Sequence, residues 1–172
     1  MSETLQEIKC PACQKVMKKV FIPKEGVNVD ICIDGCGGMF FDNRELKYFD
    51  ETSEGIDEIL KAINGKTFEK VDQNNLRSCP ACGARMVKNY TSVKKQVQVD
   101  ECYSCGGKFL DAGELQSLRS EYNTEAERSA DVMKLVNQTV APMIQEMESE
   151  HQKAVQDRSA LRKLFDSIMG SF

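Results

Sequence analysis

Eight cysteines are the residues of this chain whose type and spacing could do chemistry, and they form four close pairs. Each pair leaves two or three residues between its cysteines, a spacing at which one pair supplies two ligands to a tetrahedral Zn²⁺ ion. The stretch between two consecutive pairs is long enough for a strand or hairpin to return the chain, so two pairs would complete one site. We therefore expect two Zn²⁺ ions per chain, and the predicted ligands are Cys10, Cys13, Cys32 and Cys36 in site 1 and Cys79, Cys82, Cys102 and Cys105 in site 2.

Other uses of paired cysteines fit the sequence less well. A redox CxxC motif would normally begin a helix in a thioredoxin-like alternation of strands and helices, and no such alternation surrounds these pairs. An iron–sulfur centre is open on ligand type, although the spacing differs from ferredoxin motifs. Eight thiolates fill two four-ligand sites and leave no position for a catalytic water, so we expect structural zinc and no enzymatic activity. The single histidine, His151, is expected to be a solvated or interface residue.

An internal repeat places the two cysteine sets in equivalent surroundings. "CPAC" begins at position 10 and again at 79, "VNVD" begins at 27 and "VQVD" at 97, and the glycine pair begins at 37 and again at 106. The two copies are thus offset by 69 residues at "CPAC", by 70 at the strand and again by 69 at the glycine pair. The first copy therefore lacks one residue before its strand and has one extra between Cys32 and Cys36. We expect Gly35 to adopt a positive φ that widens this turn, both cysteines to bind zinc, and site 1 to be the more labile site.

Short strands and helices must hold these ligands in place. Alternating valines predict strands at 27–30 and 97–100, and "MFFD" and "KFLD" predict short strands that run into helices. Asp42 and Asp111 are predicted to be helix N-caps, each in a capping box with the Glu three residues later. From about 43 to 64 we expect one or two helices, and the residues predicted to point inward are Leu46, Phe49, Ile56, Ile59, Leu60 and Ile63.

The composition changes in the C-terminal part, the tail (residues 123–172). Apolar residues recur there at steps of three and four, which is close to a heptad seam, and Pro142 is expected to kink or divide the helix. A helix of about 45 residues would be about 70 Å long, so its apolar stripe needs a partner, which is either a second chain or the tail folded back on itself near Pro142. We expect the tail to self-associate, as a dimer, through a seam of Val132, Val136, Val140, Met143, Met147, Leu161, Phe165 and Ile168.

Together these features predict a small, metal-stabilised α+β fold. It comprises two strand-containing units that each hold one cysteine set and are each followed by a helix, and a long coiled-coil-like helical tail. The predicted boundaries are 1–50 for the first unit, 51–75 for a helical and polar linker, 76–122 for the second unit and 123–172 for the tail, kinked near Pro142.

The repeated motifs resemble a known family. "CPACQKVM" with "VNVDICIDGCGGMFFDNREL", and "CPACGARMVKNY" with "VQVDECYSCGGKFLDAGEL", are similar to the transcription factor IIB-type zinc ribbon of many small bacterial proteins. The resemblance covers about residues 8–46 and 77–115. It implies that each unit is a zinc-ribbon β-hairpin, which we call ribbon 1 (residues 1–50) and ribbon 2 (residues 76–122), with zinc ligation by all eight cysteines. It carries no established activity, since most members are uncharacterised.

The charge of the chain bears on its partners. The formal net charge is -4, which disfavours general binding to nucleic acid, although a local basic face remains open. The strongest candidates for that face are Lys15, Lys18, Lys19, Arg85, Lys88, Tyr90, Lys94 and Lys95, with Lys24 and Arg77 nearby in sequence. The polar start of the chain and the lack of a long apolar run predict a cytoplasmic location with no membrane association.

These observations favour a non-enzymatic adaptor that binds an unidentified protein partner through its ribbons and tail. The first alternative is a nucleic-acid-binding or transcription-machinery factor. The second is a thiol redox or zinc-store protein, whose more labile site would lose metal and oxidise first.

Overall fold

The computed structural model describes residues 6–52 and 54–169, apart from the side chains of residues 164 and 166–168. The chain divides into two compact units, Met1–Arg128 and Ser129–Phe172. The first unit holds both cysteine sets, and the second consists of helix.

Six strands form one antiparallel sheet in the first unit. Each ribbon contributes three strands, and the sheet order is β1-β2-β3-β6-β5-β4. The strands are β1 (Lys18–Ile22), β2 (Val27–Ile31), β3 (Met39–Phe41), β4 (Val87–Tyr90), β5 (Gln98–Glu101) and β6 (Lys108–Leu110). The predicted strands are therefore confirmed, whereas their union in a single sheet is not visible in the repeat itself.

The two ribbons meet at β3 and β6, which pair antiparallel with Phe40 opposite Phe109. These residues are equivalent in the two copies, so the ribbons are related by an approximate two-fold axis through this pair. Each phenylalanine reaches into the other ribbon. A Cβ on Gly107 would lie 2.5 Å from the Phe40 ring, and a Cβ on Gly38 would lie 2.3 Å from the Phe109 ring. Both rings are fully buried, so the junction has no room for a side chain at either glycine.

The one-residue difference between the copies lies where the repeat places it. Val20 pairs with Val29 in ribbon 1, and Asn89 pairs with Val99 in ribbon 2. Val20 and Asn89 keep the offset of the "CPAC" motifs, whereas Val29 and Val99 have the offset that is larger by one. The extra residue of ribbon 2 is therefore accommodated in the turn between β4 and β5. The strands keep equivalent pairing, because a one-residue slip would turn their buried side chains to the opposite face.

One face of the sheet carries a core shared by both ribbons. Residues that alternate along the strands, such as Val29 and Ile31 in β2 and Val99 in β5, pack here against the helices. The opposite face carries the cysteines together with Phe40 and Phe109. The sheet thus separates an ordinary apolar core from the face on which both metal sites lie.

The helical elements are a 3₁₀ turn, α1 (Leu46–Tyr48), and the helices α2 (Asp57–Ile63), α3 (Glu114–Glu121) and α4 (Glu125–Met169). Leu46, Phe49 and Ile59 are buried as predicted, and Ile56 and Ile63 are half-buried. Leu60 was predicted to point inward, and this is wrong, because its side chain is exposed on the outer side of α2. Arg119 fastens α3 to the end of ribbon 1, since its guanidinium donates to the carbonyls of Phe49, Thr52 and Glu54.

The predicted capping boxes form only in part. Glu45 and Glu114 accept hydrogen bonds from the backbone N–H groups of Asp42 and Asp111, at 2.8 and 2.7 Å. The aspartates do not act as N-caps, because the helical segments begin later: Glu45 precedes α1 and Gly113, at φ 87°, precedes α3. The carboxylate of Asp111 instead binds Arg77.

The tail forms one long helix, α4, of 45 residues. The helix continues through Pro142, so the prediction that this proline divides the helix in two is wrong. The alternative prediction, a kink at Pro142, stays a prediction. The side chain of Ile168 lies outside the described residues, and the seven other seam residues are exposed, from 41 % at Val132 to 69 % at Met147. The apolar residues of the stripe therefore do lie on one helix, and no described residue of this unit covers them.

Candidate metal centres

Site 1 gathers the four cysteines of ribbon 1. The Sγ atoms of Cys10 and Cys36 are 3.4 Å apart, and those of Cys13 and Cys32 are 3.3 Å apart. All four sulfurs lie within 4.8 Å of one another. The turn that contains Cys10 and Cys13 and the turn between β2 and β3 supply two sulfurs each, as the repeat predicts.

Site 2 has the same arrangement in ribbon 2. Its sulfur pairs, Cys79 with Cys105 and Cys82 with Cys102, are each 3.5 Å apart, and the four sulfurs again lie within 4.8 Å of one another. The turns that hold them close in the same way in both ribbons. The N–H of Cys32 donates to Gly38, and that of Cys102 donates to Gly107, both at 2.8 Å.

Both sulfur sets fit zinc. Four sulfurs at the usual Zn–S distance of about 2.3 Å stand about 3.8 Å apart in a tetrahedron, which is close to the paired separations of 3.3 to 3.5 Å and within the 4.8 Å that bounds every separation in each set. The separations exceed the roughly 2 Å of a disulfide, and all eight cysteines are free. The two four-cysteine groups therefore fit two zinc ions per chain, and each offers four thiolates to its ion.

The extra residue between Cys32 and Cys36 bends the turn without breaking the site. The N–H of Gly37 donates to the carbonyl of Cys32, where in ribbon 2 Gly106, one residue nearer, donates to Cys102. The positive φ predicted for Gly35 is wrong: the left-handed residue is Gly37, at φ 75°. Gly35 is needed for space, because a Cβ there would lie 2.6 Å from the Cys32 sulfur and 2.9 Å from that of Cys13.

Hydrogen bonds and burial give the cysteines of one site different pKa values. The pKa of Cys36 is lowered to about 2, because the thiols of Cys10 and Cys32 donate to its sulfur. In site 2 the pKa of Cys82 is lowered to about 7, chiefly because the backbone N–H of Ala84 donates to it, whereas burial raises the pKa of Cys79. One cysteine of each site thus has a lowered pKa, and a metal ion that bound there would displace the thiol protons that remain, since it requires thiolates.

Site 1 is covered by the segment that follows α2, which we call the strap (residues 66–71). The Phe68 ring lies where a Cβ of Gly37 would be, 2.6 Å from that point, and the N–H of Glu69 donates to Gly35 at 3.0 Å. Lys15 pairs with Glu69, and Lys66 reaches Asp34 at 3.4 Å. The segment reads as a polar linker in the sequence, yet it seals the second turn of site 1.

Site 2 is more open. Cys82 is exposed and Cys105 half-buried, whereas in site 1 only Cys13 is other than buried. Asn43 of ribbon 1 lies over Gly106, and it is the counterpart of Phe68 over Gly37. Burial therefore makes site 2 the more accessible site. The irregular spacing of site 1 predicts the opposite order of metal release, and the greater lability of site 1 stays a prediction until release is measured.

A buried ion cluster lies beside site 2. Arg77 binds Asp100 at 2.7 Å and Asp111 at 2.9 Å, and its guanidinium stacks 4.9 Å from the centre of the Phe109 ring. Lys88 also binds Asp100, at 3.1 Å. Arg77 was expected among the surface bases, and this is wrong, since its side chain is 1 % exposed. The signal that could have revealed the cluster is the repeat itself, which places Arg77 where ribbon 1 has the apolar Ile8.

The predicted basic face is largely neutralised within the chain. Lys15 pairs with Glu69, Lys18 with Asp34, Lys19 with Asp30 and Lys88 with Asp100. Lys94 donates to the backbone carbonyl of Glu121, which holds the ammonium without cancelling its charge. Lys24 lies 3.5 Å from Glu25. Arg85, Lys95 and Tyr90 remain as candidates, and Tyr90 is 51 % exposed.

Comparison with known families identifies the two metal-binding segments. Residues 9–48 and 78–121 match the family described as transcription factor zinc-finger, of the TFIIB zinc-ribbon type. The two segments are TFIIB-type zinc ribbons. Comparison with curated proteins and with solved structures gives no match. Over the described ranges, no helix combines the length and the apolar character needed to cross a bilayer.

Proposed function

We propose that this tandem zinc-ribbon protein is a non-enzymatic interaction protein in which zinc stabilises the ribbon unit and the tail self-associates and binds a protein partner. Each sulfur set is closed by its own four ligands, so zinc serves the fold and offers no free position to a substrate.

The observation that carries the proposal is the exposed apolar stripe of α4. Met147, Leu161 and Phe165 are each more than 60 % exposed, which is unusual for large apolar side chains that recur at helical spacing. A helix of this kind is stabilised in water when a second helix covers the stripe, since its own hydrogen bonds contribute little net stability.

The test is the solution mass of the full chain, measured by light scattering over a range of concentrations. The wild type is expected to be a dimer, and Met143→Glu with Met147→Glu is expected to shift it toward monomer by placing charge in the stripe. Gln145→Glu with Gln152→Glu adds the same charge on the opposite face and should leave the mass unchanged. A monomeric wild type with a bound-zinc content of two would reject self-association.

A role at nucleic acid is the second candidate, favoured by the family description and by Arg85, Lys95 and the exposed Tyr90. Exposed basic residues and an exposed aromatic ring in the same ribbon suit a single-stranded nucleic acid. The pairing of most other basic residues within the chain argues against a broad phosphate-binding face. Absence of any oligonucleotide mobility shift at about 50 mM salt would reject this role, because phosphate contacts are strongest at low salt.

A further inference from the structure

We propose that the partner of the tail stripe is a second copy of this chain, lying antiparallel to the first and centred on Ala154. This proposal rests on the self-association proposed above, and it adds the orientation and the register of the pair.

The first argument is the symmetry of the apolar stripe about Ala154. Three pairs of apolar residues lie at equal distances before and after it along the chain: Met147 with Leu161, Met143 with Phe165, and Val140 with Ile168. An antiparallel pair centred on Ala154 therefore sets each of these residues level with another apolar residue. The small side chain of Ala154 at the centre allows the two helices to approach closely.

The second argument is the distribution of charge, which distinguishes the two orientations. Glu146, Glu148 and Glu150 form an acidic block, and Arg158, Arg162 and Lys163 form a basic block on the other side of Ala154. A parallel pair in register would place each block beside its own copy. An antiparallel pair places each acidic block level with the partner's basic block, since Glu146 and Arg162 are equally far from Ala154, as are Glu150 and Arg158.

The blocks cannot satisfy each other within one helix. Glu146 and Arg162 are separated by about 24 Å along a helix that rises about 1.5 Å per residue. In the part of the chain that the structure describes, no ion pair joins the acidic block to the basic block, and both blocks are exposed. Complementarity between the two blocks is therefore available only between two chains, and it favours one orientation over the other.

Charge reversal in the full-length, zinc-loaded protein tests the orientation. We expect Glu146→Lys with Glu150→Lys to weaken the dimer by roughly tenfold, since lysines then face the partner's Arg162 and Arg158, and Arg158→Glu with Arg162→Glu to weaken it similarly. All four substitutions together restore opposite charges across an antiparallel pair and should return the dissociation constant toward that of the wild type. Glu7→Lys with Asp57→Lys makes the same change in net charge as the first pair, on exposed residues of the ribbon unit, and should have no effect.

The outcomes separate this proposal from the one on which it rests. A wild-type dimer whose dissociation constant is unchanged by either reversal overturns the antiparallel arrangement and leaves self-association in place, because a parallel pair exchanges one like-charge contact for another. A wild type that is monomeric at every concentration overturns both. Circular dichroism and zinc content of each variant establish that helix and ribbons are intact, and recovery in the fourfold variant excludes unfolding as the cause of weakening.

Discussion

Two residues before its first cysteine, ribbon 1 has Ile8 and ribbon 2 has Arg77. The two positions make the same backbone contact, since the N–H of Met17 donates to Ile8 and that of Met86 to Arg77, each at 2.9 Å. Both side chains are buried, one by apolar packing and the other by two carboxylates and an aromatic ring. The comparison teaches that the ribbon backbone fixes a buried position without fixing the chemistry that fills it.

The metal sites differ in the same manner. Site 1 has the irregular spacing and also the strap, whereas site 2 has the regular spacing and an exposed Cys82. The site with the regular cysteine spacing is thus the less protected from solvent, and the site with the irregular spacing is the better protected. The difference can be probed by equivalent changes in the two ribbons.

Removal of one metal ligand gives the largest expected effect. Cys36→Ser and Cys105→Ser should each lower the zinc content from two to one per chain, as measured by elemental analysis. Structural zinc contributes on the order of 10 kcal/mol to the fold of a small domain, comparable to the whole stability of an ordinary one. Because the ribbons share one sheet and exchange Phe40 and Phe109, we expect each variant to lower the unfolding temperature of the entire ribbon unit. Retention of one ribbon's transition at its original temperature would show that the ribbons fold independently.

Replacement of Arg77 comes next. Arg77→Met should cost about 3–5 kcal/mol of unfolding free energy, since it leaves buried carboxylates without their main partner. Ile8→Met is the matched change in ribbon 1 and should cost less than about 1.5 kcal/mol, as an apolar exchange of similar volume. Chemical denaturation with zinc content held at two measures both. Equal costs would mean that the ion cluster adds nothing beyond packing.

The order of metal release gives the smallest effect on stability. In alkylation with mass spectrometry, Cys82 should be modified first, because it is the exposed ligand, and site 2 should release zinc to a chelator before site 1. Phe68→Ala should cost about 1–2 kcal/mol, since the ring is half-buried, and should bring release from site 1 closer to that from site 2. If site 1 releases first in the wild type, its irregular spacing outweighs its cover, as the sequence alone predicts.

Local patterns predicted the ribbons well. The cysteine pairs, the alternating valines and the offset of the repeat lie within single segments, and they located the ligands, the strands and the position of the inserted residue. The contacts missed are those between segments distant in sequence. Nothing local to Phe68 indicates that it covers Gly37, and nothing local to Arg77 indicates that Asp100 and Asp111 are its partners. The cap predicted at Asp111 fails because α3 begins only after Gly113, and the bond between its carboxylate and the distant Arg77 was equally invisible in the local pattern.

The exchange of Phe40 and Phe109 across β3 and β6 has a consequence for assembly. Equivalent strands pair with each other about a two-fold axis, so each ribbon presents the surface that its own copy would recognise. Two separate ribbons joined in this way would lose translational freedom on association, at a cost of several kcal/mol. A covalent connection between the ribbons avoids this free-energy cost, because it holds each ribbon near the other at a local concentration in the millimolar range. The pairing therefore persists however dilute the protein becomes.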